Sequence, residues 1–113
     1  RTALFEAVMN EAVALVKELM QLNSDKEVLF LHGGATTQFM QIPMNLLDEK
    51  GTASYTDTGT WAGKAIKEAK LFGNVSIAGS SQADNYTSIP KNLSIDPEAV
   101  YLHITTNETI AGT

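Results

Sequence analysis

The sequence predicts an α/β fold: a layered sheet, parallel or mixed, with flanking helices. Three observations carry that expectation. Segments with helical apolar spacing alternate with short apolar runs too brief for a helix, Gly- and Asn-containing turns separate them, and "EVLFL" (27–31) is apolar on both faces. Its 113 residues, 43% of them hydrophobic, suffice for the core of one domain. No internal repeat, low-complexity tract or linker is visible, so residues 1–113 are expected to form a single domain with no internal boundary.

The first helix is expected from Thr2, a good N-cap, to about Leu22, with Phe5, Val8, Met9, Ala12, Val13, Val16, Leu19 and Met20 on one stripe. "QLNSDKE" (21–27) is a polar turn, and 27–31 is then read as a central strand. The second helix should run from about Thr36 to Leu47 with Phe39, Ile42, Leu46 and Leu47 inward, and Pro43 removing one backbone bond. A short alternating strand follows within "TASYT" (52–56), then a helix over 61–73 ended by Gly73, with Ala62, Ala65, Ile66, Ala69 and Leu71 apolar. "NVSIAGSS" (74–81) and "AVYLHIT" (99–105) are the remaining strands, the latter preceded by an Asp96-Pro97 turn. Between them, 80–97 is the longest irregular region.

Charge and composition narrow the function. Thirteen acidic against eight basic residues give a net charge of −5 without a basic cluster, which disfavours nucleic acid and anionic membranes as partners. The chain has no cysteine, so disulfides, thiolate metal sites and Cys nucleophiles are excluded within it. No run approaches the roughly 18 apolar residues of a membrane helix, and no basic-then-apolar secretory pattern is seen at the start. A cytoplasmic protein is expected, and the Asn-x-Ser/Thr triplets at Asn74, Asn85, Asn92 and Asn107 are read as chance. A start at Arg1 and an end at "TIAGT" read as an excerpt of a longer chain.

Four features carry chemistry. "HGGATT" (32–37) sets a glycine pair before a helix start, where unpaired N–H groups and the Thr36 and Thr37 hydroxyls can cradle an anion; an ordinary tight turn is the competing reading. The turn lacks the lysine of GxxxxGK[ST] and the third glycine of GxGxxG, which weakens nucleotide readings. Trp61, the sole tryptophan, starts a helix and either packs in the core or stacks on a planar ligand. "TTNETIAGT" (105–113) either presents donors to a polar ligand or bonds its own backbone. His32 and His103 are read as satisfied strand-end histidines, since no triad or metal spacing accompanies them, and Lys64 with Glu68 as a solvated helix face.

Four blocks in one order and spacing, "VLFLHGGATTQFMQIPMNLL", "YTDTGTWAGKAIKEAK", "SSQADNY" and "YLHITTNETIAGT", resemble the phosphoserine aminotransferase family of fold-type-I, class-V pyridoxal-phosphate enzymes. "RTALFEAVMNEAVALVKEL" is similar to the family's first large-domain helix after its His-Arg motif, so the likeness covers nearly the whole chain. The resemblance implies part of the pyridoxal-phosphate-binding large domain. It puts Ala35 and Thr36 at the cofactor phosphate, Trp61 on the pyridine ring, Thr109 at the phenolic oxygen, and Arg1 on the substrate carboxylate, although the histidine preceding that arginine is absent here. It further implies a homodimer with sites at the subunit interface, and transamination between glutamate and 3-phosphohydroxypyruvate, yielding 2-oxoglutarate and phosphoserine in serine biosynthesis.

The same resemblance assigns no catalytic residue and no metal to this chain. The family's cofactor-bearing lysine and its pyridinium-pairing aspartate belong to segments downstream. None of Lys17, Lys26, Lys50, Lys64, Lys67, Lys70 or Lys91 lies in a segment like the lysine motif, and Asp84 does not resemble the aspartate. These 113 residues are therefore expected to be inactive alone. A non-catalytic module binding a phosphorylated ligand, or another fold-type-I enzyme, are the alternatives.

Overall fold

A computed structural model describes residues 2–113; Arg1, the expected carboxylate ligand, lies outside the described residues. The chain divides into two compact units, one ending at His32 and one spanning Gly33–Thr113.

In the first unit, helix α1 runs Ala3–Leu19. Thr2 is its N-cap, with Oγ1 accepting from the Phe5 N–H at 3.4 Å, and Glu6 in the first turn and Lys17 in the last both oppose the helix dipole favourably. The helix stops three residues earlier than its apolar pattern. Gln21 turns into the left-handed region at φ 51°, so that the N–H groups of Gln21 and Leu22 reach back to the carbonyls of Glu18 and Lys17. That closure normally uses glycine, and its absence from the sequence hides the end. No residue of α1 is buried, contrary to the inward stripe expected from its spacing.

Residues 27–31 are not a strand. The segment has no ladder partner among the described residues, and Leu29, Phe30 and Leu31 are 72%, 56% and 73% exposed. An extended apolar run becomes a strand only when another strand takes up its N–H and C=O groups, which periodicity cannot supply. His32 accordingly lies in irregular chain and not at a strand end.

The second unit carries the sheet. Helix α2 spans Ala35–Leu46, strand β1 Thr52–Asp57, helix α3 Thr60–Ala69, strand β2 Asn74–Ser80, and strand β3 Ala99–His103. The order is β2-β1-β3, with both pairings parallel. The expected layered α/β architecture with flanking helices is present. Parallel neighbours need crossovers, and α3 provides the one between β1 and β2, packing Ala62, Ala65, Ile66 and Ala69 inward.

Strand β1 is buried on both faces, not alternately exposed. Ala53 and Tyr55 join Phe39, Leu47, Ala65, Ile66 and Ala69 in the core. The opposite face is filled by hydroxyls, where Ser54 Oγ meets Ser76 Oγ at 2.8 Å and accepts from the Asp96 N–H at 3.1 Å. In α2 the buried residues are Phe39 and Pro43, joined by the C-cap Leu47, whereas Leu46, expected inward, is exposed. Positions 39, 43 and 47, four residues apart, share one face, and Leu46 falls off it.

Helix α3 ends at Ala69, and neither Leu71 nor Gly73 belongs to it; Leu71 is exposed. Gly73 is required for space, not for a helix cap. A Cβ there would lie 2.5 Å from the Asp48 carbonyl oxygen and 2.7 Å from Leu47 Cγ. Gly73→Ala in the full-length protein is expected to lower stability by about 1–3 kcal/mol, as overpacking does; an unchanged thermal midpoint would show that the 47–51 turn yields freely.

Candidate functional site

Parallel strands deliver their loops to one edge, and the crevice beyond their carboxyl ends is the usual ligand position in such sheets. Here the segments following β1 and β3 and the start of α2 enclose a cavity of about 450 Å³. Ala35, Thr36, Trp61 and Thr109, drawn from three separate stretches of sequence, all line it. Phe39, His103 and Ile104, not anticipated as site residues, also line it, as do Thr105, Thr106 and Asn107 of the 105–113 stretch.

The α2 start presents donors. Gly33, at φ +148°, makes the turn that a side chain would strain, and Gly34 is the N-cap. Gly34 supplies no side-chain cap bond, and no acidic residue stands in the first turn. The Thr37 and Gln38 N–H groups are taken by the Gly34 carbonyl at 3.0 and 3.2 Å. Ala35 and Thr36, whose amides have no intrahelical acceptor, both line the cavity. An anion is the natural complement of such an end.

Helix α3 begins differently. Its N-cap, Gly59, likewise offers no side chain, but the buried Glu108 carboxylate takes its place: Oε2 accepts from the Trp61 N–H at 3.1 Å and Oε1 from the Ala62 N–H at 2.6 Å. This end is therefore already neutralised, and of the two helix starts only that of α2 remains open to an anionic group.

Trp61 is fixed at both ends. Beyond its backbone bond to Glu108, its indole Nε1 donates to Thr109 Oγ1 at 2.8 Å, and Lys64 Nζ lies 4.2 Å from its ring centroid. An indole N–H only donates, so Thr109 Oγ1 must accept it and keeps its own proton for another acceptor. Trp61 packs against the core cluster, one of its two expected readings, and it also lines the cavity.

The floor is aromatic. His103 stacks on Tyr55 with centroids 4.7 Å apart, and Phe39 meets His103 edge-on at 6.1 Å. Tyr55 is fully buried; burial, then its 2.9 Å bond to the Tyr101 hydroxyl, pushes its phenol far above the ordinary range. β3 ends at His103, two residues short of the expected strand, and among the described residues its buried Nδ1 has no hydrogen-bond partner, unlike the satisfied histidine expected. Burial lowers its pKa from the ordinary 6.5. Unfolding then lets the ring take up a proton more readily, so this contribution to stability is complete above about pH 6.5 and is lost progressively at lower pH. His103→Phe, which keeps the stack, should flatten the fall in denaturation midpoint between about pH 7 and pH 5. An identical slope in the variant would refute the assignment.

Glu108, which caps α3 beside the cavity, is not singled out by the sequence. The Asn-Glu-Thr-Ile block drew attention to its threonine alone, and the only signal for the glutamate was indirect: a glycine where an N-cap side chain belongs. Among the described residues no three His, Asp or Glu side chains group as a metal site, and no helix is long and apolar enough to cross a membrane.

Residues 1–113 match the family model described as Aminotransferase class-V. The phosphoserine aminotransferase of Desulfosudis oleivorans is 51% identical over 114 residues, an overlap covering 100% of this chain and 32% of the relative. That of Parabacteroides distasonis is 53% identical over 113 residues, covering 100% and 31%. The structure of phosphoserine aminotransferase from Bacillus circulans subsp. alkalophilus superposes with a TM-score of 0.84 at 50% identity, over 96% of this chain and 31% of that one. A pyridoxal-phosphate-bound phosphoserine aminotransferase from Trichomonas vaginalis gives 0.72 at 27% identity, over 99% and 32%. The chain thus spans about a third of the length of the curated relatives it matches.

Proposed function

The chain belongs to the class-V aminotransferase family, and from that premise we propose that the whole protein is a pyridoxal-phosphate-dependent phosphoserine aminotransferase. It would exchange the amino group between glutamate and 3-phosphohydroxypyruvate, releasing 2-oxoglutarate and phosphoserine, as a cytoplasmic homodimer. Residues 1–113 would be part of its cofactor-binding large domain. The observation that carries this reading is the convergence of Ala35, Thr36, Trp61 and Thr109 on one cavity whose chemistry suits the coenzyme.

The residues fit that group part by part. The uncapped, acid-free start of α2 suits a phosphate dianion, bound by the Ala35 and Thr36 amides and the Thr36 hydroxyl. The indole of Trp61 suits a planar heteroaromatic ring and would set its tilt. Thr109, with its Oγ1 lone pair engaged by Trp61 Nε1, would donate its proton to the phenolic oxygen and so stabilise negative charge there. Glu108, by neutralising the start of α3, leaves the phosphate one place to go. When bound, the coenzyme supplies an electron sink for the amino-acid α-carbon. Arg1 is proposed, from sequence, to hold the substrate carboxylate through its guanidinium fork. The cofactor-bearing lysine and the pyridinium-pairing aspartate are proposed to lie in the remainder of the whole protein.

The test is direct. Full-length protein reconstituted with pyridoxal phosphate should convert glutamate and 3-phosphohydroxypyruvate to 2-oxoglutarate and phosphoserine, with both products appearing at equal rates. A coenzyme-loaded protein forming no phosphoserine, or transaminating only unphosphorylated oxo acids, would refute the proposal.

A further inference from the structure

Glu108 is not among the residues that line the cavity, but both its side chain and its backbone are hydrogen-bonded to the elements that do. Glu108 is 1% exposed, and its two oxygens accept from the N–H groups of Trp61 and Ala62. Its own backbone closes the last loop: its N–H donates to the Thr113 carbonyl at 3.0 Å, and its carbonyl accepts from the Gly112 N–H at 2.7 Å. Thr113 Oγ1 then donates to the Thr58 carbonyl at 2.8 Å, tying that loop to the β1–α3 turn. On either side in sequence, Asn107 and Thr109 line the cavity.

The turn is built to admit this carboxylate. A Cβ on Gly59 would lie 2.6 Å from both Cδ and Oε2 of Glu108, too close for any side chain without displacing the acid. A buried carboxylate needs compensation, and two amide donors at the positive end of a helix provide it. An N-cap Ser or Asp at residue 59 would satisfy α3 equally well but would leave it unattached to the 105–113 loop. Because the cap arrives from 46 residues away, the helix start cannot move independently of Thr109.

We infer that Glu108 is a positioning residue for the coenzyme: its carboxylate locks the start of α3 to the 105–113 loop and thereby holds the Trp61 ring and the Thr109 hydroxyl, joined by their 2.8 Å bond, in one fixed arrangement at the cavity wall. This rests on the reading that the cavity holds pyridoxal phosphate. Its consequence is that ring stacking and phenolate recognition are set together, through a residue that touches neither.

The experiment uses full-length protein carrying Glu108→Ala, Glu108→Gln, Gly59→Ala or Trp61→Ala. It reads the dissociation constant for pyridoxal phosphate, the visible circular dichroism of the coenzyme at saturation, and the thermal midpoint of the coenzyme-free form. Glu108→Ala and Gly59→Ala should each weaken binding by about tenfold and reduce the visible dichroism, whereas Glu108→Gln, whose amide oxygen still accepts one N–H, should recover part of both. A purely structural role would lower the thermal midpoint and leave the dichroism of the saturated protein unchanged. Should Glu108→Ala not fold, Gly59→Ala and Glu108→Gln decide alone. Unaltered affinity and dichroism in the Gly59 and Glu108 variants, with Trp61→Ala impaired, would overturn the inference and leave the cavity assignment standing; unaltered behaviour in all four would overturn the cavity assignment and the inference with it.

Discussion

Trp61→Ala in the full-length protein is expected to weaken retention of pyridoxal phosphate by roughly 30-fold, about 2 kcal/mol. Two losses combine. An offset aromatic pair is worth about 0.5–1.5 kcal/mol beyond the area it covers, and the Thr109 hydroxyl, released from the indole N–H at 2.8 Å, gives up an anchoring bond of about 1 kcal/mol. Trp61→Phe helps to separate them, since an aromatic ring, though smaller than the indole, remains while the N–H is lost. That variant should retain most of the affinity but shift the coenzyme absorbance, because Thr109 is then free to rotate. The measurements are a coenzyme titration and the visible spectrum of the bound form. Wild-type affinity and spectrum in Trp61→Ala would remove the stacking role, and a Trp61→Phe protein as impaired as the alanine variant would move the weight from the ring to its hydrogen bond.

Tyr55→Ala should have the largest effect on stability, about 3–5 kcal/mol, in the range of large aromatic-to-alanine changes in cores. Tyr55 is fully buried in the central strand, stacks on His103 and shares a 2.9 Å bond with Tyr101. Its removal opens a cavity directly beneath the aromatic floor of the site, so coenzyme binding should weaken along with the denaturation midpoint. Tyr55→Phe keeps the ring and leaves the half-buried Tyr101 hydroxyl unpaired, at a cost of about 1 kcal/mol. Urea denaturation of the coenzyme-free proteins distinguishes the two. If the phenylalanine variant loses as much as the alanine one, the hydroxyl pair and not the ring holds the strand.

Among the elements, those that depend on local chemistry were legible from residues alone. The Thr2 cap, the small-residue face of α3 at Ala62, Ala65 and Ala69, and the three strands of the second unit follow from spacing and turn residues, and each is present. The strand expected at 27–31 fails for a non-local reason, since its apolar run had the composition of a strand but has no ladder partner among the described residues. The end of α1 failed for a different one: Gln21 adopts a conformation that sequence rules reserve for glycine.

The site divides in the same way. The family resemblance nominated Ala35, Thr36, Trp61 and Thr109, and the residue chemistry agreed with it at the α2 start, with its Thr36 hydroxyl, and at the Trp61 indole. That these four border one cavity, that Trp61 Nε1 fixes the Thr109 proton, that the His103 Nδ1 is buried with no partner among the described residues, and that Glu108 caps a helix begun 48 residues earlier were decided only by the tertiary structure. The physical reason is range. Periodicity and capping act over three or four residues, whereas a carboxylate's burial, a histidine's desolvation and a glycine's need for space are set by atoms that folding alone brings within a few ångströms.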